Sequence, residues 1–297
     1  MSRIKPSLES CLGSPLYFYG GSITLRFAKD PYHQYFLACG ASLEPVDGVT
    51  SACGILDKSM FLVPWSAKMT AEKILRTMPS DTDELGIKYI QSIDWDSFAT
   101  IVLEAKKAHR EKLADASDVG AQAHDWLDRS IQYAMKHTAG RVEALSEQMP
   151  NDQRAINCGN EAYNWMRRHN VVWLESEKVV YSRKWNFAGT MDGMAYVDDQ
   201  ICIIDWKSSN ALRTEYLYQT AAYQAAYEEE HGVKFPGRWI LRLGKEEGDF
   251  ESWFADQFDQ DFTVFTNLLT LKKNHGTVEA RIAASKKAVK KDKNVKN

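Results

Sequence analysis

Apolar positions along this chain recur in two rhythms, and the rhythm changes near residue 171. Between residues 93 and 170 the spacing is three and four. Phe98, Ile101, Val102 and Ala105 mark one helix. Ala121, His124, Trp126, Leu127, Ile131 and Met135 mark a second, expected to begin near Ser117-Asp118 and to end before Gly140. A third is expected over 153–168. Beyond it, 171–184, 187–197 and 200–207 are short apolar runs rich in β-branched and aromatic residues, which predicts three successive strands. A helix over 214–230, strands over 239–243 and 251–254 and a helix over 261–274 complete the pattern. In the first third, 17–25 reads as a hairpin around Gly20-Gly21 and 33–43 as one more strand. Pro64 is expected to open a helix over 65–78, which Pro79-Ser80-Asp81 stops while capping the next. Strands set among helices predict an α/β (α+β) fold, a central mixed sheet flanked by helices. The expected divisions are an N-terminal accessory region over 1–95, a core over 96–276 and a basic tail over 277–297.

With 297 residues, 44% hydrophobic and 26% charged, the chain is an ordinary globular sequence long enough to bury a large core. No run of 18 apolar residues is present, and the first residues carry no apolar stretch, so neither a membrane span nor a signal peptide is expected. The five cysteines (Cys11, Cys39, Cys53, Cys158, Cys202) are odd in number, scattered, and without a C-x-x-C pair. A disulfide framework, a zinc ribbon and a four-cysteine iron–sulfur cluster are not expected, and a reducing, cytoplasmic compartment fits.

The net charge of −3 conceals an asymmetry. Residues 281–297 hold seven lysines and arginines against Asp292, a balance of +6 that leaves −9 on the rest. Such a tail either reaches for a polyanion or is simply solvated.

The chemistry gathers on two adjacent strands. Asp198-Asp199 is a plausible two-residue turn. If the hairpin turns there, counting outward sets Asp192 opposite Asp205, with Cβ atoms about 5 Å apart. Two carboxylates that close repel unless a proton or a cation lies between them. Hard oxygen donors suit Mg²⁺ or Mn²⁺. Lys207, two residues after Asp205, shares its face, where an ammonium can orient an attacking water. The plainer reading of a buried Asp–Lys neighbourhood is an ion pair, although such pairs seldom add stability over apolar residues.

Gly189-Thr190-Met191-Asp192-Gly193 followed by Ile203-Ile204-Asp205-Trp206-Lys207-Ser208-Ser209 resembles the metal-binding core of the PD-(D/E)XK nucleases. Gly120-Ala121-Gln122-Ala123-His124 and Gln219-Thr220-Ala221-Ala222-Tyr223 resemble the G-x-x-x-H and Q-x-x-x-Y elements of the RecB-like exonuclease branch, in the same order. The resemblance covers about residues 96–243. Gly48-Val49-Thr50-Ser51, Leu56-Asp57-Lys58 and Leu62-Val63-Pro64-Trp65 are similar to phage-type exonucleases and the mitochondrial genome maintenance exonuclease.

The resemblance implies a restriction-endonuclease-like sheet and divalent-metal-dependent exonuclease action on DNA ends, single- or double-stranded. It implies His124, Asp192, Asp205 and the Trp206 carbonyl as ligands of Mg²⁺ or Mn²⁺. Asp192, Asp205 and Lys207 are then the catalytic residues, with Gln219, Tyr223 and Ser208 toward the substrate. Glu177, or Glu175 by parity, is a candidate helper in the acidic cluster. Ser208 and Ser209 either meet a phosphate or cap the next helix. Tyr216 and Tyr227 are expected to pack in the core. Arg167, Arg168, Arg183, Lys184 and Arg213 are candidates for a basic channel. Expected partners are DNA and phage or host recombination and replication proteins, with no membrane. A structure-specific endonuclease and a non-catalytic nucleic-acid-binding protein are the competing readings. With no G-x-x-x-x-G-K-[ST] loop, a built-in ATP-driven motor is not expected.

Overall fold

The change of rhythm near residue 171 becomes the long central strands of one nine-stranded mixed sheet. The computed structural model describes residues 7–56, 58–77 and 93–295, with side chains to 286. No helix among the described residues is long and apolar enough to cross a membrane, and all five cysteines are free thiols.

The chain divides into two compact units, residues 1–56 with 124–297, and residues 57–123. The smaller unit holds α3 (Ser59–Thr77), α4 (Trp95–Ala105) and the first half of α5 (Ala108–His137). Asp94 caps α4, its carboxylate accepting from the Ser97 N–H at 2.8 Å. Pro64 was expected to open α3, but the helix begins five residues earlier. Proline then sits in its interior, where it removes one backbone donor. The expected stop at Pro79-Ser80-Asp81 lies outside the described residues.

The larger unit begins with a short helix α1 (Leu8–Cys11) and a meander of β1 (Leu16–Phe18), β2 (Ile23–Ala28), β3 (Gln34–Cys39) and β4 (Ser42–Gly48). The expected strand over 33–43 is two strands, because Gly40 takes a positive φ of 61° and turns the chain. A short helix α2 (Val49–Cys53) follows. After α5 come α6 (Gln153–Arg168), β5 (Val172–Ser182), β6 (Phe187–Val197) and β7 (Gln200–Lys207). Then follow α7 (Thr214–His231), β8 (Arg238–Leu243), β9 (Phe250–Ala255) and α8 (Phe258–Val295). The sheet order is β1-β2-β3-β4-β6-β7-β8-β9, with β5 on the other edge of β6. The β4–β6 and β7–β8 pairs are parallel and the rest antiparallel.

Two helical layers cover the sheet. Alternate residues of β7 face opposite sides. Ile203 packs with Ala222, Ala226, Phe265 and Val49 from α7, α8 and α2. Trp206 meets Trp165 of α6 edge-on, ring centroids 6.4 Å apart. The meander joins the main sheet through β4, and α8 continues helical to Val295 rather than ending near 274.

One feature of β6 sets up the site. Its far edge carries β5 along most of its length. Its near edge is shared: β4 pairs with Phe187 and Ala188, and β7 pairs with residues 193–197. The stretch Gly189–Asp192 has no ladder partner there, and the sheet forks around it.

Candidate metal centre

The β6–β7 hairpin turns at Asp198 and Asp199, both with positive φ (48° and 66°), as a two-residue turn with left-handed centres requires. Val197 pairs with Gln200 and the ladder runs inward to Gly193 with Ile204. The next step would pair Asp192 with Asp205, and there the ladder stops. The Asp192 carboxylate takes over from the backbone, its Oδ2 accepting the Trp206 N–H at 2.7 Å. Both glycines of Gly189-Thr190-Met191-Asp192-Gly193 are set by close neighbours. A Cβ on Gly189 would lie 2.6 Å from the Tyr223 ring, and one on Gly193 2.4 Å from the Trp173 ring.

Three side chains converge beside this fork. One donor atom each from His124, Glu177 and Asp192 lies within 4.8 Å of the others. His124 comes from α5, its Nδ1 3.9 Å from Asp192 Oδ2. Glu177 comes from β5, opposite Asp192 by register. It has a φ of +47°, a left-handed conformation that costs a glutamate about 1–3 kcal/mol. Glu177 is exposed, but desolvation of its carboxyl among its neighbours, then the negative charges of Asp192, Asp128 and Asp205, push it up to about 7. Glu175, the alternative by parity, is instead ion-paired with Lys178 at 2.9 Å.

Asp205 is not in this triad. Its side chain is 1% exposed, and Oδ1 has no hydrogen-bond donor among the described residues. Its partner is Lys207, whose Nζ stands 2.5 Å from Oδ2. Burial raises the Asp205 pKa, and Lys207 opposes it. For Lys207, burial disfavours the charge, but Asp205 and Asp192 together outweigh it and hold the ammonium protonated. The Lys207 ammonium also lies over the Tyr216 ring, 5.2 Å from its centroid, so Tyr216 borders the site rather than only packing in the core. Tyr227 does pack in the core, against Phe235 and His231.

Gln219 and Tyr223, one turn apart on α7, bond each other, with Gln219 Nε2 donating to the Tyr223 hydroxyl at 2.6 Å and to Thr50 Oγ1 at 3.3 Å. Burial, followed by the charge of Asp205, raises the Tyr223 pKa well above its ordinary value, so it stays a neutral phenol. Trp206 enters through its backbone, its indole being buried against Trp165 and Trp173. Ser208 is half-buried just after β7. Neither it nor Ser209 caps α7, whose N-cap is Arg213 without a side-chain bond. The five basic candidates do not line one wall. Arg167 and Arg168 lie over Tyr163 and Phe250 at the end of α6, Arg183 and Lys184 over Tyr19 and Trp185 at the β5–β6 turn, and Arg213 is exposed before α7.

Asp128 escaped the sequence reading. It sits one turn after His124 on α5 and accepts from Ser176 Oγ at 2.5 Å. The signal was its i,i+4 spacing from the histidine. The donors suit a hard or borderline divalent cation: one imidazole, two clustered carboxylates, and the unpartnered buried Oδ1 of Asp205 beside them.

No protein-family model matches the chain, and no curated protein sequence matches it. Among solved structures, it is similar to a candidate exonuclease from Eubacterium rectale, with a TM-score of 0.35 and 13% identity over 54% of this chain. It spans 65% of that protein's length. It is also similar to the protein SSO0001, with a TM-score of 0.26 and 10% identity, over 50% of this chain and 73% of that one. At these scores the likenesses fix neither fold nor activity.

Proposed function

We propose that the chain is a divalent-metal-dependent deoxyribonuclease of the PD-(D/E)XK type, acting as an exonuclease on DNA ends. One observation carries the reading: His124, Glu177 and Asp192 bring their donor atoms within 4.8 Å, at a fork in the sheet where Asp205 and Lys207 follow on the adjoining strand. A structural ion-pair network would not gather two carboxylates and an imidazole within 4.8 Å while the neighbouring ammonium, Lys207, pairs with Asp205 instead.

His124, Glu177, Asp192 and Asp205 would hold Mg²⁺ or Mn²⁺, with the Trp206 carbonyl as a further candidate. The ion would neutralise the scissile phosphate and acidify a water nucleophile. The protein's own residues do the rest. Asp205 and the Tyr216 ring fix the Lys207 ammonium, which orients the attacking water and offsets charge developing in the transition state. Trp206 N–H holds the Asp192 carboxylate in place, so that it does not turn away when the cation is absent. Gln219, fixed by Tyr223, and Ser208 offer neutral donors to phosphate or base oxygens.

The test is digestion of end-labelled linear DNA, single- and double-stranded, with Mg²⁺ or Mn²⁺ and a closed circular control. Nucleotide release from linear DNA alone, abolished by chelation, is the expected result. Cutting of the circle redirects the reading to an endonuclease. No hydrolysis of any DNA with either ion overturns it.

A further inference from the structure

We propose that Asp128 and Ser176 are positioning residues of the metal cluster, acting through the bond between them. The inference rests on reading His124, Glu177 and Asp192 as a cation site. Those donors come from three separate elements, and two of these converge only if α5 is fixed against β5. Main-chain bonding to β6 fixes β5 along its length, but it does not fix the direction of Glu177, whose left-handed φ turns it out of the regular strand. A non-glycine residue stays in that conformation only when its neighbours over-determine it.

The adjacent residue supplies the constraint. Ser176 Oγ donates to Asp128 Oδ1 at 2.5 Å, and Gln132 Nε2 approaches the same oxygen at 3.4 Å. Asp128 lies one helical turn beyond His124 on α5. The bond thus ties the residue before Glu177 to the helix turn after His124, and one contact sets the spacing of both donors. Asp128 also adds negative charge near Glu177. Charge and tether are therefore the two ways in which it could act, and substitution separates them.

Full-length protein is titrated with Mn²⁺ alone by isothermal calorimetry, with circular dichroism to establish the fold of each variant. Ser176→Ala and Asp128→Ala should each weaken Mn²⁺ binding about tenfold, the usual scale for a group that orients a ligand. Asp128→Asn keeps the acceptor oxygen and Ser176→Thr keeps the hydroxyl, so both should bind close to wild type. The Ser176→Ala/Asp128→Ala double variant should be no worse than either single one, because both remove the same bond. If Asp128→Asn weakens binding as much as Asp128→Ala while Ser176→Ala binds like wild type, Asp128 acts by charge and the tether is overturned. A wild-type protein that binds no Mn²⁺ overturns the cation site itself, and the tether with it.

Discussion

The two carboxylates of the β6–β7 hairpin face each other where the next rung of the ladder would fall, yet they live in different surroundings. Asp192 lies at the open fork of the sheet, its side chain 15% exposed, facing His124 and Glu177. Asp205 is 1% exposed and faces the Lys207 ammonium. The first wall gathers two carboxylates and an imidazole, and the ammonium that acts on them, Lys207, is held by Asp205; the second joins opposite charges out of water. Like charges are tolerated where an external cation can join them, while a buried charge needs its partner in the same fold. The two walls should therefore fail differently when cut.

The largest effect should come from the buried wall. Asp205→Ala leaves the Lys207 ammonium without its nearest counter-charge and should lower stability by about 3 kcal/mol. Asp192→Asn relieves repulsion in the open wall while keeping an acceptor for Trp206 N–H. It should leave metal-free stability unchanged or higher, yet abolish metal binding. Chemical denaturation of both variants without metal checks the contrast. Equal destabilisation would mean that the open wall is a structural network as well.

Lys207→Ala separates the walls by function. It should lower turnover at saturating DNA and metal by about 10²–10⁴-fold, the range for a positioned group that moves or orients a proton. Mn²⁺ affinity should fall far less than turnover, because the lysine supplies no ligand to the cation and acts on the water. If only the DNA affinity falls and turnover at saturation holds, Lys207 is a phosphate contact.

Much of this contrast could be read from the chain. The Asp198-Asp199 turn fixes the hairpin register by counting, and the apolar run 201–207 marks a buried strand. The open wall was less visible. The left-handed φ of Glu177 leaves no mark in a sequence, since glutamate has no preference for it. The fork depends on β4 reaching the near edge of β6 across about 140 residues of chain, and no local pattern encodes such a contact. The continuation of α8 to Val295 had a signal that went unread: residues 277–291 are rich in Ala, Lys, Arg and Glu, all strong helix formers.

Glu177 gives the open wall a pH signature. Its carboxyl is raised from 4.5 to about 7 in the fold. The native state therefore holds this proton more tightly than the unfolded chain, so its contribution is full below about 4.5 and is lost as pH rises through 7. The melting temperature of metal-free protein should fall across that window, and Glu177→Gln should flatten the decline. Stabilisation by Mn²⁺ should run the other way, growing with pH as the cation displaces the proton. Thermal melts with and without Mn²⁺ at several pH values read both slopes, and identical slopes for Glu177→Gln and wild type would remove Glu177 from the cluster.

The smallest effect should come from residues outside both walls. The last seventeen residues carry +6 against −9 on the rest, and Arg281 and Lys286, where α8 enters this stretch, are exposed. A helical, cation-rich end can lie along a phosphate backbone without reading its sequence. Truncation after residue 280 should weaken DNA binding most at low salt and flatten its dependence on salt, since fewer counterions are released. Turnover at saturating DNA should survive, because every residue placed on either wall precedes residue 224. Titrating intact and truncated protein against one labelled DNA at two salt concentrations decides the matter. Equal affinities at both would make the end of α8 a solvated helix, and loss of turnover at saturation would tie it to the site.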